Sequence, residues 1–325
     1  MTDKLNFKAI VIELTKKCNL RCCYCYAFSE NTFQEERLSV SSLKDFFYRF
    51  HKSGGKSVLL TGGEIFLRKD IHDIIRQAKE ANLLVNIFTN GTLLEKSDVI
   101  FIKKYVNLVN ISLDGPEENH ERLRGVKTSY RSTLETIKLF HQYKINYLIQ
   151  TMMTPDTLYH YGWLIDIIKN YQPMMVKLGN VCKVGKGTNQ KELFLNQQEV
   201  IELKKIAGDI CANVDFHTRI MTNIVTKEEF EIFYPSLSKV ITPWMLPNGE
   251  IVSCYTNDNI DFWSLSNIDT YPQTSEKSIL NRDKLVETVY EAVRKKQYFE
   301  LLELISEVSN KVVNEIKEGK VYEYR

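Results

Sequence analysis

Lys8-Ala-Ile-Val-Ile-Glu-Leu14 and, shortly after it, Cys18-Asn-Leu-Arg-Cys22-Cys23-Tyr24-Cys25 form the stretch on which the reading of this chain turns. The first run is short, apolar and β-branched, the pattern of a buried strand. The second is Cys-x-x-x-Cys-x-x-Cys, with Cys23 as an extra cysteine inside it. Closely spaced thiolates suit an iron–sulfur cluster, whose irons are held by cysteine sulfur. A 4Fe–4S cube takes four ligands, so three cysteines leave one iron open, as catalytic metal sites generally do.

Beyond that stretch the strand-then-turn pattern repeats. Ser41 or Ser42 can cap a helix with Leu43, Phe46, Phe47 and Phe50 on one side, stopped by Gly54-Gly55. A strand over Ser57–Thr61 ends in Gly62-Gly63-Glu64, and a helix follows over Asp70–Ala81. The strand Leu84–Phe88 ends in Thr89-Asn90-Gly91-Thr92, the helix Lys96–Tyr105 follows, and Leu108–Leu113 ends in Asp114-Gly115-Pro116. Helices over Ser132–Tyr143 and Leu158–Tyr171 alternate with strands over Tyr147–Met153 and Met174–Leu178. Such alternation signals parallel β/α units. About six units fit before Cys211, two short of a closed eight-fold barrel. The expected architecture is α/β, a partial (β/α)6 TIM-like barrel over residues 1–213 with a smaller α+β extension over 214–325. In the extension, Pro243–Cys254 reads as a hairpin around Asn248-Gly249. Leu301, Ile305, Val308, Val312 and Ile316 recur at helical spacing.

Composition narrows the classes. A formal net charge of +2 over 325 residues argues against a nucleic-acid-binding domain. No apolar run reaches the roughly 20 residues of a membrane span, and no signal peptide is evident at the N-terminus. Seven cysteines, an odd number, are not a secreted disulfide framework, and a reducing cytoplasm is the expected setting.

The cysteine spacing alone leaves a cluster, a structural zinc site and a thioredoxin-like dithiol open. The later strand ends add chemistry. In parallel α/β folds ligands bind at the carboxyl ends of the strands. That rim carries Gly62, Gly63 and Glu64, then Asn90, Ser112, Asp114 and Arg124. Glycines let backbone approach a ligand, Glu64 can receive an ammonium group, and Ser112 with Arg124 can hold a carboxylate. A ligand with both groups is an amino acid or a derivative of one.

With these residues in place the chain resembles the radical SAM superfamily over residues 8–187. The matching pieces are the cysteine loop, Thr-Gly-Gly-Glu, Thr-Asn-Gly, Ser-Leu-Asp-Gly-Pro and Arg-Leu-Arg-Gly. The resemblance implies one 4Fe–4S cluster on Cys18, Cys22 and Cys25, with S-adenosylmethionine on the open iron. It also implies Tyr24 near the adenine, Gly63 and Glu64 at the methionine ammonium with Gly62 beside them in the cofactor-binding turn, Ser112 and Arg124 at the carboxylate, and Asn90 and Asp114 near the ribose or substrate. The implied reaction is one-electron reductive cleavage to a 5′-deoxyadenosyl radical that abstracts a substrate hydrogen, fed by a flavodoxin or ferredoxin.

Within the superfamily, the motif details and Val181-Cys-Lys-Val-Gly-Lys-Gly187 resemble the SPASM/Twitch branch of peptide-modifying maturases. The chain departs from that branch after Cys254, where no cysteine remains, so a degenerate extension without an auxiliary cluster is expected. Cys182 is a candidate substrate-facing thiol, Asp114 a candidate catalytic residue, and Cys23, Cys211 and Cys254 have no assigned role. A ribosomally made peptide is the expected substrate, with a small molecule of cofactor, antibiotic or nucleoside biosynthesis as the alternative. A non-catalytic iron–sulfur or zinc protein is the alternative of another class. With strand one read from Lys8, a fused N-terminal peptide-recognition domain is not expected, and a separate protein is expected to supply that function.

Overall fold

The computed structural model describes residues 8–26, 36–181, 185–214, 218–222, 243–256 and 260–267. Strand β1 (Ala9–Glu13) is covered on both faces, as strands inside a parallel sheet are. Ile10 and Ile12 enter the main core between sheet and helices, while Val11 joins Leu59, Trp244 and Leu246 in a second cluster on the opposite face. Helix α1 (Val40–Lys52) buries Leu43, Phe46, Phe47 and Phe50 against the first face. Its cap is Ser39 rather than Ser41 or Ser42. Ser39 Oγ accepts the Ser42 N–H at 3.1 Å while Ser42 Oγ accepts the Ser39 N–H at 3.0 Å, and both ends of that exchange must be in place for the box to close.

The chain then runs through β2 (Ser57–Thr61), α2 (Ile71–Glu80), β3 (Leu84–Thr89), α3 (Lys96–Tyr105), β4 (Leu108–Ser112), α4 (Glu117–Arg124) and α5 (Ser129–Gln142). It continues through β5 (Tyr147–Met153), α6 (Pro155–Leu158), α7 (Gly162–Tyr171), β6 (Met175–Asn180), α8 (Gln197–Asn213) and β7 (Arg219–Thr222). Strands β8 (Pro243–Met245), β9 (Glu250–Thr256) and β10 (Ile260–Asn267) complete one sheet ordered β10-β9-β8-β1-β2-β3-β4-β5-β6-β7. Pairing is parallel from β8 through β1 to β7, and antiparallel only at β8–β9 and β9–β10. The six expected β/α units therefore stand in order, with a further parallel strand on each side.

Four details differ from the sequence reading. Alternation does not end at Val214: β7 pairs with β6, Met175 opposite Arg219. The helix expected over Leu158–Tyr171 starts only at Gly162, as α7, and the separate one-turn α6 ends at Leu158, started by Pro155 in its first turn and the Thr154–Thr157 capping box. Helix α4 carries Glu117, Glu118, Glu121, Arg122 and Arg124 and so shows no apolar stripe, yet it buries His120 and Leu123. The hairpin turn centres on Pro247-Asn248, with Gly249 at φ 84 and its N–H on Leu246 O at 2.9 Å. Proline suits the second position of such a turn, and a glycine in the left-handed region follows it into the next strand.

The C-terminal apolar stripe from Leu301 to Ile316 lies outside the described residues, as does Cys182. Among the described residues no helix is long and apolar enough to cross a membrane. Phe46 has no exposed surface and stacks on Phe50 with ring centroids 5.6 Å apart. Phe46→Ala is expected to cost about 3–5 kcal/mol, and the half-exposed Ile100→Ala about 0.5 kcal/mol or less, both read from denaturant midpoints.

Candidate active site at the strand ends

After β1 the chain crosses the carboxyl end of the sheet as the cysteine loop, and main-chain hydrogen bonds fix it from three directions. At the end of β2 the Gly63 and Glu64 N–H groups donate to Thr15 O and Lys17 O, both at 2.8 Å. At the end of α4 the Arg21 and Cys23 N–H groups donate to Arg124 O and Leu123 O, both at 3.0 Å. After β6 the Lys186 N–H donates to Cys25 O at 3.0 Å. Glycine is what permits this closeness. A Cβ on Gly63 would sit 2.1 Å from Lys17 O, and one on Gly185, at φ 54, would sit 2.5 Å from Cys25 O. Gly63 thus serves the cysteine loop first, where the sequence suggested only an approach to a ligand.

Below the loop Glu64 is fully buried. Its carboxylate accepts the Phe66 N–H at 3.1 Å, the Thr89 hydroxyl at 2.9 Å and the Asn90 N–H at 2.7 Å. These donors are all uncharged, and burial outweighs them, raising the Glu64 pKa to about 7. Asn90 ties the same turn to the loop: its Nδ2 donates to Asn19 Oδ1 at 2.9 Å, and Asn19 Nδ2 donates to Thr92 Oγ1 at 2.8 Å. Asn19 and Thr92 are contributors that the sequence reading did not single out, although both lie within the quoted motifs.

On the far side Asp114, also fully buried, pairs with Arg124 Nε at 2.6 Å. Tyr24 donates its hydroxyl to the same oxygen, Oδ2, and the Met152 N–H donates to Oδ1 at 2.9 Å. Burial works to raise this carboxyl, but Arg124, His120, the Tyr24 hydroxyl and the Met152 N–H outweigh it and its pKa is lowered. Burial pushes the Tyr24 phenol well above its usual value. Arg124 Cζ lies 5.5 Å from the Tyr24 ring centroid, and its Nη1 points at Cys22 Sγ, 3.8 Å away. His120, absent from the sequence reading because α4 was, accepts the Asp114 N–H at 3.1 Å through Nδ1; burial lowers its pKa to about 4, so it is a neutral imidazole near pH 7.

Cys18, Cys22, Cys23 and Cys25 are half-buried thiols outside any disulfide, and burial pushes Cys18 and Cys23 up. They share one loop, yet among the described residues no three His, Cys, Asp or Glu side chains are grouped so as to hold a metal ion. Gly62, Gly63, Glu64, Asn90, Tyr24, Asp114 and Arg124 are brought around that loop. Ser112 stands half-buried at the end of β4. Cys211 is exposed on α8, and Cys254 lies on β9 with its backbone paired to Phe262.

The family model described as the radical SAM superfamily matches residues 12–160, from β1 to the turn after α6. Residues 12–160 are a radical SAM domain. Among curated proteins the chain is similar to the sporulation killing factor maturation protein SkfB of Bacillus subtilis, at 27% identity over 59% of this chain and 47% of that protein. It is also similar to an AdoMet-dependent heme synthase of Oleidesulfovibrio alaskensis, at 28% identity over 50% of this chain and 42% of that one. The chain spans about half the length of the curated relatives it matches. Among solved structures, Streptococcus suis SuiB bound to precursor peptide SuiA superposes with TM-score 0.67 at 18% identity, covering 92% of this chain and 76% of that one, a likeness of fold.

The radical SAM family uses a 4Fe–4S cluster and S-adenosylmethionine. The residues fit both. The loop offers soft thiol donors on a fixed main chain, Glu64 is a buried carboxylate whose three donors are uncharged, and Arg124 is a buried guanidinium beside Cys22. Gly63→Ala is expected to lower the unfolding free energy by about 2–4 kcal/mol through overpacking and to reduce the iron held per chain after anaerobic reconstitution. Thermal unfolding and colorimetric iron assay check both parts.

Proposed function

We propose that this chain is a radical SAM enzyme that cleaves S-adenosylmethionine reductively and removes a hydrogen atom from a residue of a ribosomally made peptide. The observation that carries the reading is the pinning of the cysteine loop between Glu64 on one side and Arg124 on the other. In this reading Cys18, Cys22 and Cys25 hold the cluster, Gly63 and Glu64 take the amino group of S-adenosylmethionine, and Ser112 and Arg124 take its carboxylate. When bound, cluster and S-adenosylmethionine together supply a one-electron route to a carbon radical, chemistry that belongs to the cofactor.

The chain's own part is binding, orientation and exclusion of water. Tyr24 packs with Leu123, Val181 and Leu193 in a cluster that closes one side of the loop. Glu64 stays ionised above about pH 7 and then receives a cation at no further cost of proton loss. Peptide as the substrate class is supported by the likeness to a maturation protein and to a fold solved with a precursor peptide. The heme synthase likeness favours a second reading, a small molecule in cofactor biosynthesis. A flavodoxin or ferredoxin as electron donor, and residues 214–325 as a degenerate SPASM- or Twitch-like extension, are parts of the same proposal.

Two measurements test it. Reconstituted, reduced wild type is expected to release 5′-deoxyadenosine from S-adenosylmethionine and Cys22→Ala to release none; cleavage persisting in the variant contradicts the ligand assignment. The second reads Glu64. A carboxyl with a folded pKa of about 7 is protonated as pH falls from 8 to 6, so the Kd of S-adenosylmethionine is expected to rise, by up to about tenfold per unit below that pKa. Glu64→Gln is expected to flatten that dependence, and a wild-type Kd that stays level across the range rules out the role given to Glu64.

A further inference from the structure

Asp114 is where three separate segments meet. Its Oδ2 holds Arg124 Nε at 2.6 Å and the Tyr24 hydroxyl, its Oδ1 holds the Met152 N–H at 2.9 Å, and its own N–H is taken by His120 at 3.1 Å. Both carboxylate oxygens are engaged, and the residue has no exposed surface. The two side chains it fixes both bear on the cysteine loop. Tyr24 lies in the loop between Cys22 and Cys25, and Arg124 directs Nη1 at Cys22 Sγ, 3.8 Å away.

We propose that Asp114 is a positioning residue, which touches neither substrate nor ribose and instead sets the plane of the Arg124 guanidinium between Cys22 and the carboxylate of the bound ligand. The proposal rests on the reading of the site as one for S-adenosylmethionine. A guanidinium is a planar fork with fixed donor directions, so holding Nε and Nη1 at two points determines where the remaining donor faces. The Tyr24 ring lies against the same group, with the guanidinium carbon 5.5 Å from its centroid, which limits movement out of the plane. Met152 adds a constraint from β5: its N–H requires an acceptor on Oδ1, so the carboxylate cannot rotate to release Arg124 without leaving a buried donor unpaired. His120 fixes the backbone of the same residue from α4.

The geometry makes Asp114→Asn a sharp test, because the amide is isosteric but opposite in sense on one atom. With its oxygen kept on the Met152 N–H, its NH2 meets the Arg124 Nε–H donor against donor, while the Tyr24 hydroxyl can turn to accept. Arg124 then loses its anchor while the loop keeps its main-chain bonds. Wild type, Asp114→Asn and Asp114→Glu are reconstituted anaerobically, and iron per chain and the Kd of S-adenosylmethionine are measured on each. The expected result is unchanged iron with a Kd raised about tenfold in the Asn variant, and recovery to within about threefold of wild type in the Glu variant, which restores the charge.

Wild-type affinity in an iron-loaded Asn variant overturns the proposal. So does a Glu variant that holds iron normally but binds no better than the Asn variant. Where the Asn variant loses its iron, Arg124→Lys decides: it keeps the cation but not the planar fork that Asp114 orients, so an iron-loaded variant with a Kd raised about tenfold supports the proposal and one within about threefold of wild type overturns it. Failure of wild type to bind S-adenosylmethionine at all is a separate result, and it removes the functional reading itself.

Discussion

The peptide groups of the cysteine loop are hydrogen-bonded to the ends of β2, α4 and the turn after β6, and the rest of the site depends on that pinning. A loop crossing the mouth of a parallel sheet has no ladder of its own, and its buried N–H and C=O groups must find partners elsewhere. Here they find them on elements distant in sequence, so the loop's position reports the assembly of most of the sheet. Gly63 and Gly185 stand where the approach is closest. The main chain is thus held before a metal group binds, while the thiol side chains, which are not yet grouped around one point, have to turn toward it.

Two buried carboxylates flank this loop and are treated oppositely. Glu64 meets uncharged donors only and its pKa rises to about 7, whereas Asp114 has a guanidinium on one oxygen and its pKa falls. Burial is common to both, so the difference lies in the partner. A buried carboxylate without a cation is costly to the isolated fold and becomes an asset when a ligand brings the positive charge. Asp114 already has its charge balanced and so serves to hold something else. The two groups, similar in sequence as acidic residues after a strand, thus take distinct parts.

Much of the sheet was legible because the strands are apolar runs ended by polar turns: Ser57–Thr61, Tyr147–Met153 and helix Lys96–Tyr105 have the bounds that their patterns suggest. Helix α4 was not, since Leu123 is its one apolar residue and the other two that it buries, His120 and Arg124, are of types that usually face solvent. Strand β7 has four residues and no alternation of burial, and β8 gains its place by pairing with β1 across more than two hundred residues, a contact no local pattern reveals. At the site, residue types and their strand-end placement were readable. Their partners were not: that Gly63 yields to Lys17 O, or that Arg124 leans on Asp114, is decided by distances across the fold.

An anaerobic crystal structure of the reconstituted protein with S-adenosylmethionine decides what the cysteine loop and its two flanking carboxylates hold. The expected result is one 4Fe–4S cluster on the sulfurs of Cys18, Cys22 and Cys25, with the ligand's amino group toward Glu64 and its carboxylate toward Arg124. A zinc ion on these thiols, a cluster in which Cys23 replaces one of them, or a ligand bound away from Glu64 and Arg124 would contradict it.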